Sequence, residues 1–134
     1  MREILFRGKG DKRYNDGEWC LGVPIKCYDG DWQICTDHIR RTVIPETIGQ
    51  YAGSPDKNNK KIFEGDICKV TMFTCEGEDK HYLCEVCFDC GSFVFRERSG
   101  FDILPVDIYD FETDVEVIGN IYDNPELIGG RING

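Results

Sequence analysis

Long apolar runs are missing from this 134-residue chain. A membrane-crossing helix needs about 20 consecutive apolar residues. The longest candidates, around Val70 and Ile103, are short and broken by charge. A secretory leader is not legible either. Met1-Arg2-Glu3-Ile4-Leu5-Phe6-Arg7 sets only three apolar residues between charges, which suits a strand that starts at once. The expectation is a chain that stays in the cytoplasm, away from membranes. Histidine is scarce: His38 and His81 are the only two. Nothing in their spacing places either beside a thiol, so a Cys–His nucleophilic pair is not expected and both read as surface. Phosphate loops, dinucleotide fingerprints, nucleophile-elbow serines and paired-histidine zinc motifs are all lacking. No catalytic residue and no cofactor is therefore expected, and the chain does not read as an enzyme.

Basic charge is missing from one half. Residues 1–66 hold 11 Lys or Arg against 11 Asp or Glu, whereas residues 67–134 hold 5 against 14. The net charge of −9 thus sits entirely in the second half, and 102–126 contains eight carboxylates and no cation. Such a surface repels a phosphate backbone, so the monomer is not expected to bind nucleic acid without sequence preference. It suits a basic protein partner better, because complementary charge speeds encounter. The basic candidates are Arg40, Arg41, Lys57, Lys60 and Lys61; a nucleic-acid surface would have to be assembled from them in an oligomer. Asp107, Asp110, Glu112, Asp114 and Glu116 could meet a hard cation. They lack the glycine and the terminal bidentate Glu of a calcium loop, so a solvated acidic rim is the plainer reading.

What the chain does have is strand signal. Ile4 and Phe6 open it. Asp16-Gly17 marks a turn before Glu18-Trp19-Cys20-Leu21-Gly22-Val23, which alternates apolar with small or polar residues. Asp29-Gly30 then separates Lys26-Cys27-Tyr28 from Trp32-Gln33-Ile34-Cys35, and the first 36 residues read as a β-meander. Residues 37–61, with Pro45, Pro55, Gly49 and Gly53, read as mostly irregular chain with short extended pieces; Asn58-Asn59 reads as a tight turn, since Asn tolerates positive φ. After the turn Glu64-Gly65-Asp66, strands are expected from Ile67 to Phe73, from Tyr82 to Phe88, from Phe93 to Arg96 and near Val115 to Ile118. Tyr82, Cys84, Val86 and Phe88 share one face. The only helical candidate is a short turn over 106–111. Short strands leave exposed edges unless the sheet curls, so a small SH3-like roll over 62–127 is the economical solution. The fold class is mainly β, a single domain in two parts, 1–61 and 62–127.

Eight cysteines are present. Cys84, Cys87 and Cys90 are spaced as thiolate ligands for zinc or an iron–sulfur cluster can be, with His81, Cys68 or Cys75 as a fourth. The apolar alternation runs straight through them, however. A strand points Cys84 and Cys87 to opposite faces, and inert, reduced thiols fit the pattern better. Redox exchange would need a thiolate of lowered pKa, and neighbouring carboxylates raise it.

Three segments together resemble one family. They are Met1 to Lys9 with Gly17-Glu18-Trp19; Thr47-Ile48-Gly49-Gln50-Tyr51 through Asp56-Lys57-Asn58 to Lys60-Lys61-Ile62-Phe63-Glu64-Gly65-Asp66-Ile67; and Val117-Ile118-Gly119-Asn120-Ile121-Tyr122-Asp123-Asn124-Pro125-Glu126-Leu127. The resemblance is to the YopX family of small bacteriophage and prophage proteins. It implies an SH3-like β-roll in the second half, a phage or prophage origin, the cytoplasm of a bacterial host and self-association. It implies no activity. Asn58-Asn59 stands where the family usually has Asn-Gly, and the cysteines are not family signatures. The motif residues Gly49, Gln50, Tyr51, Asp56, Glu64, Gly65, Asp66, Gly119, Asn120, Tyr122, Asn124 and Pro125 are expected to hold the fold. The functional expectation is a non-enzymatic accessory protein that binds another protein as a homo-oligomer. An oligomeric nucleic-acid surface and a cysteine metal module are the alternatives.

Overall fold

The computed structural model describes residues 4–74, 76–106 and 113–128. It is mainly β, as expected, with eleven strands among the described residues and two short 3-10 turns. The chain divides into two compact units, Met1–Tyr51 and Ala52–Gly134.

The first unit holds β1 (Phe6–Lys9), β2 (Trp19–Lys26), β3 (Trp32–Cys35), β4 (Arg40–Val43), a 3-10 turn (Pro45–Thr47) and the start of β5 (Gly49–Pro55). Strand order is β4-β3-β2-β1-β5. Antiparallel pairing follows the expected meander, and Gly30 turns β2 into β3 with φ +97°. The sheet then curls until β4 meets the end of β1. Gly10 bridges Val43, the Ile44 N–H donates to the Lys9 carbonyl, and the Asp11 N–H donates to the Thr42 carbonyl, both at 2.9 Å. Four strands thus close into a narrow ring. Its centre is Ile34 and Val43, each 1 % exposed. The inner wall opposite them is nearly bare backbone: a Cβ on Gly8 would sit 3.1 Å from Val43, and one on Gly22 would sit 2.3 Å from the Cys35 carbonyl oxygen. Glycine is what lets so small a ring close.

The second unit continues with the rest of β5, then β6 (Lys61–Phe63), β7 (Asp66–Met72), β8 (Lys80–Asp89), β9 (Ser92–Glu97), β10 (Asp102–Pro105), β11 (Thr113–Asn120) and a 3-10 turn (Pro125–Leu127). Its five-stranded sheet has the order β10-β9-β8-β7-β11, all neighbours antiparallel. Cys68, Val70, Cys84, Val86, Phe93, Phe95 and Val115 from its strands pack with Ala52, Ile62 and Val106 into one core. The expected alternation on β8 holds: Cys84 and Val86 are fully buried on the core face, with Tyr82 packed against them. Phe88, at the end of the same row, is exposed and meets Phe93 edge-on at 4.9 Å.

The short extended pieces expected within residues 37–61 are β4, the seven-residue β5 and the start of β6. Their partners impose the extended form, as when Phe6 and Arg7 pair with Gln50 and Gly49. A strand at Asp102–Pro105 was not expected, and it pairs with β9 through a bulge. Of the helical turn over 106–111, Val106 is a fully buried turn residue; 107–111 lie outside the described residues.

Candidate functional site

The motif residues of the second unit come together, and what they do is build turns. Asp56, buried, uses one carboxylate oxygen to accept the N–H groups of Asn58 at 2.9 Å and Lys60 at 2.8 Å. The other oxygen accepts the Val117 N–H of β11 at 2.9 Å. Burial pushes this carboxyl up, but the N–H groups of Val117, Lys60 and Asn58, with the Lys60 charge, outweigh it and hold the carboxyl below its ordinary range. Asn59 takes φ +65° in this turn, as its residue type allowed. Asp66 is 1 % exposed and accepts the Phe63 N–H at 2.8 Å. Between them Gly65 has φ +92°, donates its N–H to the Val86 carbonyl and accepts the Ile121 N–H. A Cβ there would sit 3.1 Å from the Tyr122 ring. In the final motif the Asn120 side-chain oxygen accepts the Tyr122 and Asp123 N–H groups, and Asn124 accepts the Asn120 N–H at 3.2 Å. Gly119 has no room for a Cβ, which would meet the Asn124 Oδ1 at 2.6 Å. Pro125 opens the last 3-10 turn. Gly49, Gln50 and Tyr51 lie on β5, where the Tyr51 N–H donates to the Leu5 carbonyl. Glu64 occupies the turn before Gly65.

The described cysteines do not gather at one site. Cys84 is buried opposite its cross-strand neighbour Cys68, also fully buried. Burial, with Glu97 and Cys87 nearby, pushes the Cys84 thiol up to about 12. Cys87 is next along β8 but on the other face, opposite Val94, and Cys90 is exposed in the β8–β9 turn with φ +51°. The Asp89 carboxylate raises the Cys90 thiol. Among the described residues no three His, Cys, Asp or Glu side chains are grouped to hold a metal ion. Cys75 lies outside those residues, as do Asp107, Asp110 and Glu112. His81 shares a 3.0 Å hydrogen bond with the Thr71 hydroxyl, and His38 sits exposed in the turn between β3 and β4. The acidic residues that are described include Asp102, bound by Arg96 at 2.7 Å, and Glu116, 3.9 Å from Lys57. Lys57, Lys60 and Lys61 belong to the second unit and Arg40 and Arg41 to the first. Arg40 and Arg41 are successive on β4 and so face opposite ways.

The face with most to offer was not singled out by the sequence. On β2 the small residues Cys20, Gly22 and Pro24 turn inward, because the ring is too narrow for larger ones. Leu21, Val23 and Ile25 therefore face outward, 46 %, 59 % and 41 % exposed. Strand register extends this face across Cys35 and Gln33 on β3 to Arg40 and Thr42 on β4, and across Arg7 and Lys9 on β1. Arg7 stacks on Trp19 at 4.6 Å. The strand positions of this face carry three cations and no carboxylate; of the cations Arg7 is buried, Lys9 half-buried and Arg40 exposed. The signal was the alternation itself, read with the small residues as the core-facing set.

Two comparisons bear on kinship. Residues 6–129 match the model of the family described as YopX protein. A curated relative, the "SPbeta prophage-derived uncharacterized protein YopX" of Bacillus subtilis (strain 168), is 36 % identical over 123 residues, covering 82 % of this chain and 84 % of the relative.

Proposed function

Since the chain belongs to the YopX family, and the residues shared with that family's pattern hold turns together, we propose that it is a non-enzymatic prophage accessory protein that works by binding another protein through the outward face of β2. The observation that carries this is the exposed row Leu21, Val23 and Ile25. Isolated exposed apolar residues are ordinary, but a contiguous row on one strand face, bordered by polar and cationic groups, suits a protein contact. The exposed Arg40 at its border favours a partner carrying carboxylates. The proposed contact belongs to the first unit; in the second, Asp102 and Glu116 already face Arg96 and Lys57.

A photo-crosslinking amino acid at position 23, with position 57 as control, tests the proposal in the producing cell. A discrete protein adduct is expected from position 23, absent from position 57 and abolished by Leu21→Lys. Equal crosslinking from both positions, or none from position 23, contradicts it. Sedimentation of the same preparation measures the self-association expected from the family.

A further inference from the structure

The outward face of β2 adjoins an open strand edge. Strand β3 pairs with β2 only from Val23 to Lys26, and its last partner, Cys35, stands opposite Val23. Beyond that point the chain turns away, the Thr36 N–H donating to the Ile39 carbonyl at 2.8 Å. The earlier half of β2 pairs with β1 on its other edge. The Gly10 N–H bonds to the Glu18 carbonyl. By the alternation of antiparallel bonding, Cys20 and Gly22 therefore point their main-chain groups at β1, and Leu21 points its groups toward the side β3 has left. No strand among the described residues pairs with Leu21 on that side. The space there is a cleft of about 140 Å³, walled by Trp19, Cys20, Leu21, Ile34, Ile39 and Arg41. Glu18 supplies its one carboxylate. At about 30 Å³ per water molecule of liquid, that volume admits one aliphatic side chain.

Resting on the proposed binding role of this face, we infer that the partner contributes an extended segment that adds as a strand along the Leu21 edge, with an apolar side chain in the cleft and carboxylates on the outer face. Main-chain bonds to an open edge supply affinity and alternate side chains supply selectivity. A residue opposite Leu21 lies on the outer face, where the strand positions hold the exposed Arg40 and no carboxylate. Its two neighbours turn inward, toward Ile34, Ile39 and Arg41. The recognised pattern is thus acidic and apolar in alternation. Arg40, exposed at the end of the Val23–Cys35–Arg40 row, is the charge best placed to select it.

The test uses the full chain and a labelled heptapeptide alternating Glu or Asp with Leu or Val, followed by fluorescence anisotropy and by amide shifts of residues 19–23. The peptide is expected to bind and to shift Leu21, to lose about tenfold in affinity against Arg40→Glu, and to lose more when every acid is replaced by Lys. Methylating the amides of one alternate set of peptide residues is expected to abolish binding while methylating the other set leaves it, because an added strand bonds through every second residue. The inference is overturned if the acidic and basic peptides bind alike, if neither binds at millimolar concentration, or if both methylated sets behave the same. A thymidine oligonucleotide that displaces the peptide overturns it too. So does conversion of an oligomer to a monomer by Leu21→Lys, which would show a second copy on this edge. Persistent crosslinking from position 23 beside a failed peptide would remove the strand addition and leave the binding face standing; loss of both would remove the face as well.

Discussion

The carboxylate of Asp56 accepts the main-chain N–H of Val117 at 2.9 Å, joining residues 61 apart in the chain. The same side chain accepts two N–H groups of its own turn, and the Lys57 N–H donates to the Val115 carbonyl at 2.9 Å. The turn between β5 and β6 is thereby fastened to the outer edge of β11, which would otherwise present unpaired groups to solvent.

Asp56→Ala removes the acceptor from three N–H groups. A buried donor left unsatisfied costs about 1–3 kcal/mol; since water can reach part of the turn, the expected loss is about 3 kcal/mol in total. Asp56→Asn keeps one acceptor oxygen and should lose less. Urea unfolding at pH 7 measures both, and an unchanged midpoint for Asp56→Ala would show that the turn is not fastened this way.

The pH dependence follows from the same carboxyl. Its folded pKa is lowered relative to the unfolded chain, where an aspartate titrates at about 3.9. The stabilisation is fully present above that value and is lost as pH falls through the lower, folded pKa. Asp56→Asn should therefore lose less stability than the parent between pH 5 and pH 2. Parallel urea midpoints across that range check it; identical acid limbs would contradict it.

Gly65 and Gly30 separate backbone strain from contact. Both have φ near +95°, at +92° and +97°. An added Cβ at Gly30 meets nothing within 4 Å, but one at Gly65 meets the Tyr122 ring at 3.1 Å. Gly30→Ala should cost about 1–2 kcal/mol, the cost of a left-handed alanine. Gly65→Ala should cost about 1 kcal/mol more from overpacking, and Tyr122→Leu should recover part of that difference. Thermal unfolding of the three single variants and the double variant measures it.

Thiol reactivity should sort the cysteines by burial. Cys68 and Cys84 are 0 % exposed, and Cys84 is held protonated far above neutral pH. Both should resist a maleimide until the protein unfolds, whereas exposed Cys90 reacts in the native state. Cys84→Ser, which puts a hydroxyl among Val70, Val86 and Phe95, should cost about 1–3 kcal/mol more than Cys84→Ala. Peptide mapping by mass spectrometry and urea unfolding read the two outcomes.

Much of the strand pattern was legible because apolar alternation and Asp-Gly turns are local signals. β7, β8, β9 and β11 fall where Ile67, Cys84, Phe93 and Val115 placed them. β4 and β5 were not legible as bounded strands. Arg40-Arg41-Thr42-Val43 and Gly49-Gln50-Tyr51-Ala52-Gly53-Ser54-Pro55 carry charge, glycine and proline, and they become strands because β3 and β1 offer them partners. β10 was hidden by Pro105 and by the bulge that sets Leu104 opposite Phe95. The binding face was half legible. Trp19 to Ile25 showed the alternation, but apolar side chains usually mark the inner face of a strand. Only the closure of the ring around Ile34 and Val43, with Gly8 and Gly22 as its wall, shows that this strand is turned the other way.

The most direct measurement is the accessibility of a thiol placed at position 23. Val23→Cys in the purified protein should react with a maleimide at least as fast as native Cys90, since position 23 is 59 % exposed and the Asp89 carboxylate raises the Cys90 thiol. In the producing cell, with site-by-site quantification, position 23 is expected to be protected severalfold while Cys90 is not. Equal labelling of position 23 in both settings would show that nothing covers the outward face of β2, and would contradict the proposed contact.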